Sequence, residues 1–316
     1  RHANIPMTHS TSQIALLGEC MLELSNAPGS TRYQLGVAGD TYNTAAGLGQ
    51  LGVAVEYVTA LGSDRYSEVI LDDAQQRNIG SQFIQRNPSA TPGLYLIEND
   101  DQGERSFSYW RENSAAHQLL RNGEQLDQLL SAIESIPNLF FSGITLALCG
   151  EDGRKELLQW LPRYRAQGGR VIYDSNYRET LWPDLESAQR AHAQILEQVD
   201  LFLPSAEDIA VLHSNSDMLA LTSKEIVSTD GDAPVSVILE GALQHIAIDP
   251  VASVVDTTGA GDAFNAGYLA ARLRNIDAVA AVNYAAKVAA QTIAHRGAIL
   301  PTETWSELRE ALEKSG

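Results

Sequence analysis

VVDTTGAGDAFNAGYLAARL spans residues 254–273. An apolar, strand-like run stops at Asp256, two threonines follow, and Gly259, Ala260 and Gly261 lead directly into a helix-like stretch opened by Asp262. The three small residues let backbone N–H groups come close to a ligand. The first N–H groups of a helix lack partners, and the helix dipole is positive at that end. Together these features make an anion hole suited to a polyphosphate. A carboxylate beside such a hole can take the proton of a hydroxyl that attacks a γ-phosphate. A Gly-Asp pair met alone before a helix is more simply a cap. The complete run at a strand end favours chemistry instead. It is neither a Walker A loop, since GKS/T is absent, nor a GxGxxG turn.

The rest of the chain places that run in an α/β frame. Strand patterns at Ile14–Leu24 (broken at Gly18 and Glu19), Val55–Gly62, NLFFSG, RVIYDSN and DLFLPS alternate with helical patterns. The helices are expected at GDTYNTAAGLGQLG, at SEVILDDAQQRNIG (closing at Gly80), at GEQLDQLLSAIES, at GRKELLQWLPRYRAQ and at ESAQRAHAQILEQV. Strands separated by helices mean a mainly parallel sheet covered on both faces, a three-layer sandwich. The chain should end in helices over 262–273, 277–294 and 304–314, the last with a capping box of Thr304 and Glu307 and with Trp305, Leu308 and Leu312 on one face. Between Phe83 and Trp110 the pattern is β only: FIQR, GLYLIEND and ERSFSYW, with a turn at NDDQG. Residues 81–113, with 24–38, are expected to form a small β-sheet inserted within a domain covering 14–316 and lying outside its main body. Ligands of open parallel sheets sit outside the carboxyl ends of the strands. That directs attention to Gly18–Glu19, Ser142–Gly143, Asp174–Arg178, Pro204–Asp208 and Asp256–Asp262.

Bulk properties exclude several classes. A formal net charge of -18 repels phosphate backbones and anionic lipid, so neither nucleic acid nor membrane is expected as a partner. Two isolated cysteines, Cys20 and Cys149, make no disulfide framework and read as free thiols of a cytoplasmic protein. No apolar run approaches the roughly 20 residues that span a bilayer, and no signal peptide is apparent. RHANIP before Met7 reads as a tag remnant, so residues 1–13 are set aside as remnant and leader. The seven histidines lack metal-ligand spacing.

DTTGAGDAFNAGYLA resembles the signature of the ribokinase-like (phosphofructokinase-B type) sugar kinases. VAGDTYNTAAGLGQLG resembles that family's glycine-rich N-terminal signature, with Ala38 in place of its first glycine. The likeness runs from Ile14 to Pro301. It narrows toward the 2-keto-3-deoxygluconate kinases through GECMLEL, GDTYNTA, GLYLIENDDQGERSFSYWRENSAA, FFSGITLAL and DSNYRETLW. It implies ATP as phosphoryl donor, Mg2+, a lid over the sugar and a homo-oligomer formed through that lid. A monovalent cation is a further option.

The resemblance also distributes roles. Asp262 is the expected base, with Gly259, Ala260 and Gly261 supplying N–H groups to the phosphate. Arg111 and Arg178 are two guanidinium groups in an acidic protein, suited to a carboxylate; each alone would read as a surface ion pair. Gly39 and Asn43 are expected on sugar hydroxyls, with Asp40 and Gly143 as weaker candidates. Tyr95 and Tyr109 either line the substrate or simply pack the lid. Ser205 and Asp208 occupy the place of the family's Asn-x-x-Glu pair. They serve either magnesium, through water, or a helix N-terminus. Thr258 and Asn283 are candidate nucleotide contacts.

One departure stands out. The family carries a Lys or Arg and then Gly-x-x-Gly after the strand matched here to VSVIL, yet VSVILE runs straight into GALQHIAIDP. The favoured reading is that residues are omitted from the chain near 240–241. The function expected is phosphorylation of a sugar acid, most simply 2-keto-3-deoxygluconate, with a neutral-sugar or nucleoside kinase and a catalytically silent sensor as the alternatives.

Overall fold

The computed structural model describes residues 13–26, 30–99, 105–213, 225–251 and 253–314. The leader expected over 1–13 lies outside these residues except for Gln13, as does nearly all of the NDDQG turn.

Short, fully buried apolar runs build the main sheet. β1 (Ile14–Leu17) is an interior strand, paired in parallel with β4 (Val55–Leu61) on one side and β9 (Asn138–Ser142) on the other. From β9 the parallel order continues through β10 (Arg170–Asp174), β11 (Leu201–Leu203) and β12 (Glu225–Ser228). β13 (Val235–Leu239) and β14 (Ala242–Ile246) finish that edge antiparallel, and β5 (Ile79–Gly80) and β6 (Ile84–Arg86) pair with β4 at the other.

Side-chain alternation gives the sheet two dry faces. Ile14 and Leu16 enter one core cluster, and Ala15 and Leu17 enter the other. The first cluster is covered by α1 (Asp40–Gln50), α2 (Arg65–Gln76), α9 (Ala260–Arg272), α10 (Ala278–Ile293) and α11 (Thr302–Glu313). The second takes α3 (Ala115–Arg121), α4 (Gly123–Ala132), α5 (Gly143–Leu148), α6 (Gly150–Ala166), α7 (Leu185–Leu196) and the short α8 (Ala206–Leu212). The winding direction reverses at β1, and this is where such sheets open a ligand crevice.

A second, four-stranded sheet has the order β3-β2-β7-β8, with β2 (Met21–Asn26), β3 (Tyr33–Ala38), β7 (Gly93–Asn99) and β8 (Arg105–Trp110). On one face Met21, Ala38, Tyr95 and Ile97 form a small cluster of their own. On the other, Leu22 joins the main core, with Val37 and Leu94 packed against it.

Several boundaries differ from the sequence expectations. FIQR does not belong to the small sheet: its β6 residues extend the main sheet beside β4, so the inserted segments run over 21–38 and 93–110. α2 stops at Gln76, and Asn78, at φ 59, makes the left-handed exit expected of Gly80. α11 starts at Thr302 behind Pro301 with no side-chain cap, so the Thr304–Glu307 box falls inside the helix; Trp305, Leu308 and Leu312 are buried as expected. No omission is needed near 240–241. Glu240 and Gly241, both at positive φ (51 and 78), form a two-residue turn of the type that suits a hairpin between β13 and β14. The mismatch came from choosing the wrong strand. β12, a four-residue strand missed in the sequence, runs parallel to β11. The loop after it, 229–234 with Gly231 at φ 57, is the one at the ligand end of the sheet.

Candidate active site

At the carboxyl ends of the strands, beneath the small sheet, lies a cleft of about 1040 Å³. α9 starts at its floor. Gly259 takes φ 73, and a Cβ there would meet Ala298 at 2.7 Å, so glycine is required twice over. Gly261 faces open space with nothing within 4 Å of an added Cβ. No side chain caps this helix; the Ala260 N–H donates to the Thr257 carbonyl at 3.2 Å, which leaves the N–H groups of Gly261 and Asp262 for a ligand. Thr257 and Thr258 also line the cleft, and Asp256 fixes their turn by accepting from the Thr258 N–H (2.8 Å) and from the Gly297 N–H (2.9 Å).

Asp262 sits in the first turn of α9. Its Oδ2 accepts from Asn43 Nδ2 at 2.8 Å, and the Asn43 side chain is itself steered by the Gly39 N–H (3.4 Å). Burial, reinforced by the Asp40 carboxylate, lifts the Asp262 carboxyl to about 7, while Asn43 and Arg178 restrain the rise. A carboxyl poised near neutrality suits a general base. Asn43 thus orients the Asp262 carboxylate, a contact not expected of it from the sequence. Asp40 accepts from Asn176 Nδ2 at 3.0 Å, and Gly39 and Asp40 both line the cleft. Asp174 completes the acidic floor. It accepts from Asn265 Nδ2 (3.0 Å) and from the Asn176 N–H (3.1 Å), and burial together with Asp262, Asp40 and Asp208 drives its carboxyl well above the usual range.

The roof carries aromatics. Tyr95, only 8% exposed, donates to Glu23, and Tyr109, 52% exposed, stacks on it at 5.7 Å. Both line the cleft with Phe107. The two arginines behave differently. Arg111 reaches the cleft, but its Nε and Nη2 lie 2.8 and 2.6 Å from Oε2 of the buried Glu19. Arg178 also lines the cleft and forms no ion pair among the described residues; its Nη1 donates to the Tyr177 carbonyl. Arg178 therefore keeps its whole charge available to an anionic ligand, whereas Arg111 shares its charge with Glu19.

Ser205 and Asp208 take the helix-terminus reading given to them, and do so at the cleft. Ser205 Oγ accepts from the Asp208 N–H at 3.1 Å as the cap of α8, and both residues line the cleft. Asp208 Oδ2 accepts from Ser175 Oγ (2.5 Å) and from the Tyr177 N–H (3.1 Å), which fixes the carboxylate at the cleft wall.

Two candidates fall away. Gly143 does not line the cleft: it is buried at the start of α5, where a Cβ would come within 1.9 Å of the Ser175 carbonyl. Its signal came from backbone packing. Gly143→Ala should therefore cost about 1–3 kcal/mol of stability with KM values unchanged, as denaturant titration and kinetics on the same preparation would read. Asn283 is exposed on α10, between buried Val282 and Tyr284, and lies outside the cleft lining. In the other direction, Glu19, Asp174, Asn176 and Asn265 belong to the site without having been singled out. The first three were legible only as strand-end positions.

An anion-receptive helix entrance, a near-neutral carboxylate in its first turn and a small sheet roofing the cleft define a phosphotransferase for hydroxyl compounds. The chain belongs to the pfkB family of carbohydrate kinases, whose family model matches residues 11–305. Among curated proteins it is similar to the 2-dehydro-3-deoxygluconokinase of Escherichia coli K12, with 38% identity over 93% of this chain and 98% of that protein. The enzyme of the same name from Dickeya dadantii is 36% identical over 93% and 98%. Among solved structures, a fructokinase of Xylella fastidiosa with bound ATP superposes with a TM-score of 0.80 at 23% identity, covering 96% of this chain and 99% of that one.

Proposed function

We propose that this kinase transfers the γ-phosphate of ATP to the 6-hydroxyl of 2-keto-3-deoxygluconate, the substrate that its relatives' names carry. The observation that carries this reading is Arg178, a guanidinium without an ion-pair partner among the described residues, at the wall of a cleft otherwise rich in carboxylates. A neutral sugar would give that cation nothing to bind, whereas a carboxylate meets it with directional hydrogen bonds.

Asp262, held by Asn43, takes the hydroxyl proton. The N–H groups around Gly261 receive charge that develops on the transferring phosphoryl group. Tyr95 and Tyr109 cover the sugar and exclude water that would otherwise intercept the phosphoryl group. The residues present fit a nucleotide and its metal. The open cradle at Gly261 and the uncapped helix suit phosphate oxygens, and the fixed Asp208 carboxylate suits a hydrated Mg2+. Mg2+, when bound, neutralises charge on the phosphate oxygens. Thr229, in the loop after β12, also lines the cleft and is a fitting nucleotide contact.

Exposed Tyr33, Leu35 and Trp110 share the outer face of the small sheet and support a homo-oligomer formed there, which sedimentation would read. The cytoplasm, which supplies ATP and keeps the buried Cys20 and Cys149 reduced, is the fitting compartment.

The test is a coupled kinase assay over a panel of sugar acids and neutral sugars. Turnover should be confined to the acids, and Arg178→Ala should raise KM for the accepted acid by roughly 10–100-fold, the worth of a charged hydrogen bond. Efficient turnover of fructose or ribose, indifferent to Arg178→Ala, would refute the assignment.

A further inference from the structure

We propose that Glu19 is the positioning residue that ties the small sheet to the body of the enzyme, setting both the pose of Arg111 and the position of the sheet over the substrate. For its kinetic arm, this rests on the sugar-acid reading given above.

The small sheet is joined to the body by four chain crossings: between β1 and β2, between β3 and α1, between β6 and β7, and between β8 and α3. Glu19 is the middle residue of the first crossing, and its side chain is 1% exposed. It meets the other three. Its carbonyl oxygen lies 2.3 Å from where a Cβ on Gly39 would stand, so the second crossing packs directly against its backbone. Its Oε1 lies 3.0 Å from where a Cβ on Gly93 would stand, at the entry to β7. At the fourth crossing Oε2 accepts from Arg111, and Oε1 accepts from Ser114 Oγ at 2.5 Å, the hydroxyl that caps α3. One residue thus meets every connection between the sheet and the body, the second through its backbone carbonyl and the third and fourth through its buried carboxylate.

This placement has a consequence for binding. Arg111 spends its Nε–Nη2 edge on Glu19, and its guanidinium lies 5.7 Å from the Tyr109 ring centre on β8. Nη1 makes no hydrogen bond to a described residue and remains for a ligand in the cleft. Glu19 therefore does not compete for the whole cation; it fixes which edge is presented. Glycine at positions 39 and 93 leaves no side chain to buffer a movement of Glu19, so a shift of the sheet and a shift of Arg111 are mechanically the same event. The mechanism itself has no other use for this carboxylate.

The test uses the full chain with Glu19→Gln, which keeps the shape and removes the charge, and Glu19→Asp, which keeps the charge. Amide hydrogen exchange of the ligand-free protein reads the sheet without reference to any substrate. In Glu19→Gln the amides of β2, β7 and β8 should exchange roughly tenfold faster while those of β9, β10 and β11 keep their rates. In steady-state kinetics, KM for the sugar acid should rise roughly tenfold or more with kcat changed far less, and Glu19→Asp should recover part of it. Unchanged exchange in the small sheet with an unchanged KM would overturn the proposal, as would faster exchange spread equally over the body strands. If the wild type phosphorylates only neutral sugars, the substrate reading falls while the exchange contrast still judges Glu19.

Discussion

Asp262→Asn should lower kcat by roughly 10²–10⁴-fold, the usual contribution of a positioned general base, with binding of the sugar acid still measurable by calorimetry. The amide keeps the size of the side chain and its contact with Asn43 but cannot accept the hydroxyl proton. In the wild type, kcat/KM should rise with pH through a midpoint near about 7, because the carboxyl must be ionised to act and its value is lifted to about 7. That limb should be missing from the residual activity of the variant. A thermodynamic signature accompanies the kinetic one. The folded protein holds the Asp262 proton more tightly than the unfolded chain, so this group favours the fold in acid, and the benefit is lost as pH climbs through about 7. Asp262→Asn should therefore be more stable than the wild type at pH 8, by on the order of 2–4 kcal/mol, with the gain fading toward pH 4. Near-normal turnover, or a stability difference indifferent to pH, would contradict the role assigned to this carboxyl.

Glu225→Ala should produce the largest loss of stability, about 3–5 kcal/mol, because it strands two arginines and a tyrosine around a vacated site. Glu225 opens β12 and accepts from Arg272 (2.8 and 3.0 Å), from Arg170 on β10 (3.0 Å) and from the Tyr268 hydroxyl (2.5 Å). Burial pushes its carboxyl up, but the hydrogen bonds from Arg272 and Tyr268 outweigh it and hold the group below the usual glutamate range. A depressed carboxyl contributes above its unfolded value and is lost as pH falls through the folded one, so the cost of Glu225→Ala should shrink in acid. Tyr268 and Arg272 lie on α9, the helix whose first turn carries Asp262. The network fixes the far end of that helix to the sheet without reaching the cleft. Denaturant titration should show the deficit, while KM for both substrates, measured well below the transition, stays at wild-type values.

The frame of this protein is legible in its sequence because each layer announces itself locally. Buried strands are apolar runs, the helices between them carry their own periodicity, and ligand residues collect at strand ends. TGAGD is readable for the same reason: its chemistry is contained in five consecutive residues. The site is less legible where it depends on distance along the chain. Asn43 and Asp262 are 219 positions apart, and Glu19 and Arg111 are 92 apart, so no local pattern couples them. β12 escaped because four residues show too little alternation to mark a strand, and its loss displaced the alignment of everything up to 241. Gly143 misled because a glycine required by a neighbouring carbonyl looks the same in sequence as one required by a ligand.

The carboxylates of Asp40, Asp174, Asp208 and Asp262 crowd the cleft, with a consequence for whatever anion forms there. A phosphorylated sugar acid carries about two more negative charges than the compound that entered. On the sugar-acid reading, the substrate's single charge would meet Arg178 and the remaining Nη1 of Arg111, whereas the charge added on the product would also face these carboxylates. Repulsion tolerated on entry would then be strongest once transfer is complete and would shorten the residence of the product. On that reading, the acidic floor would hasten release of the phosphorylated product.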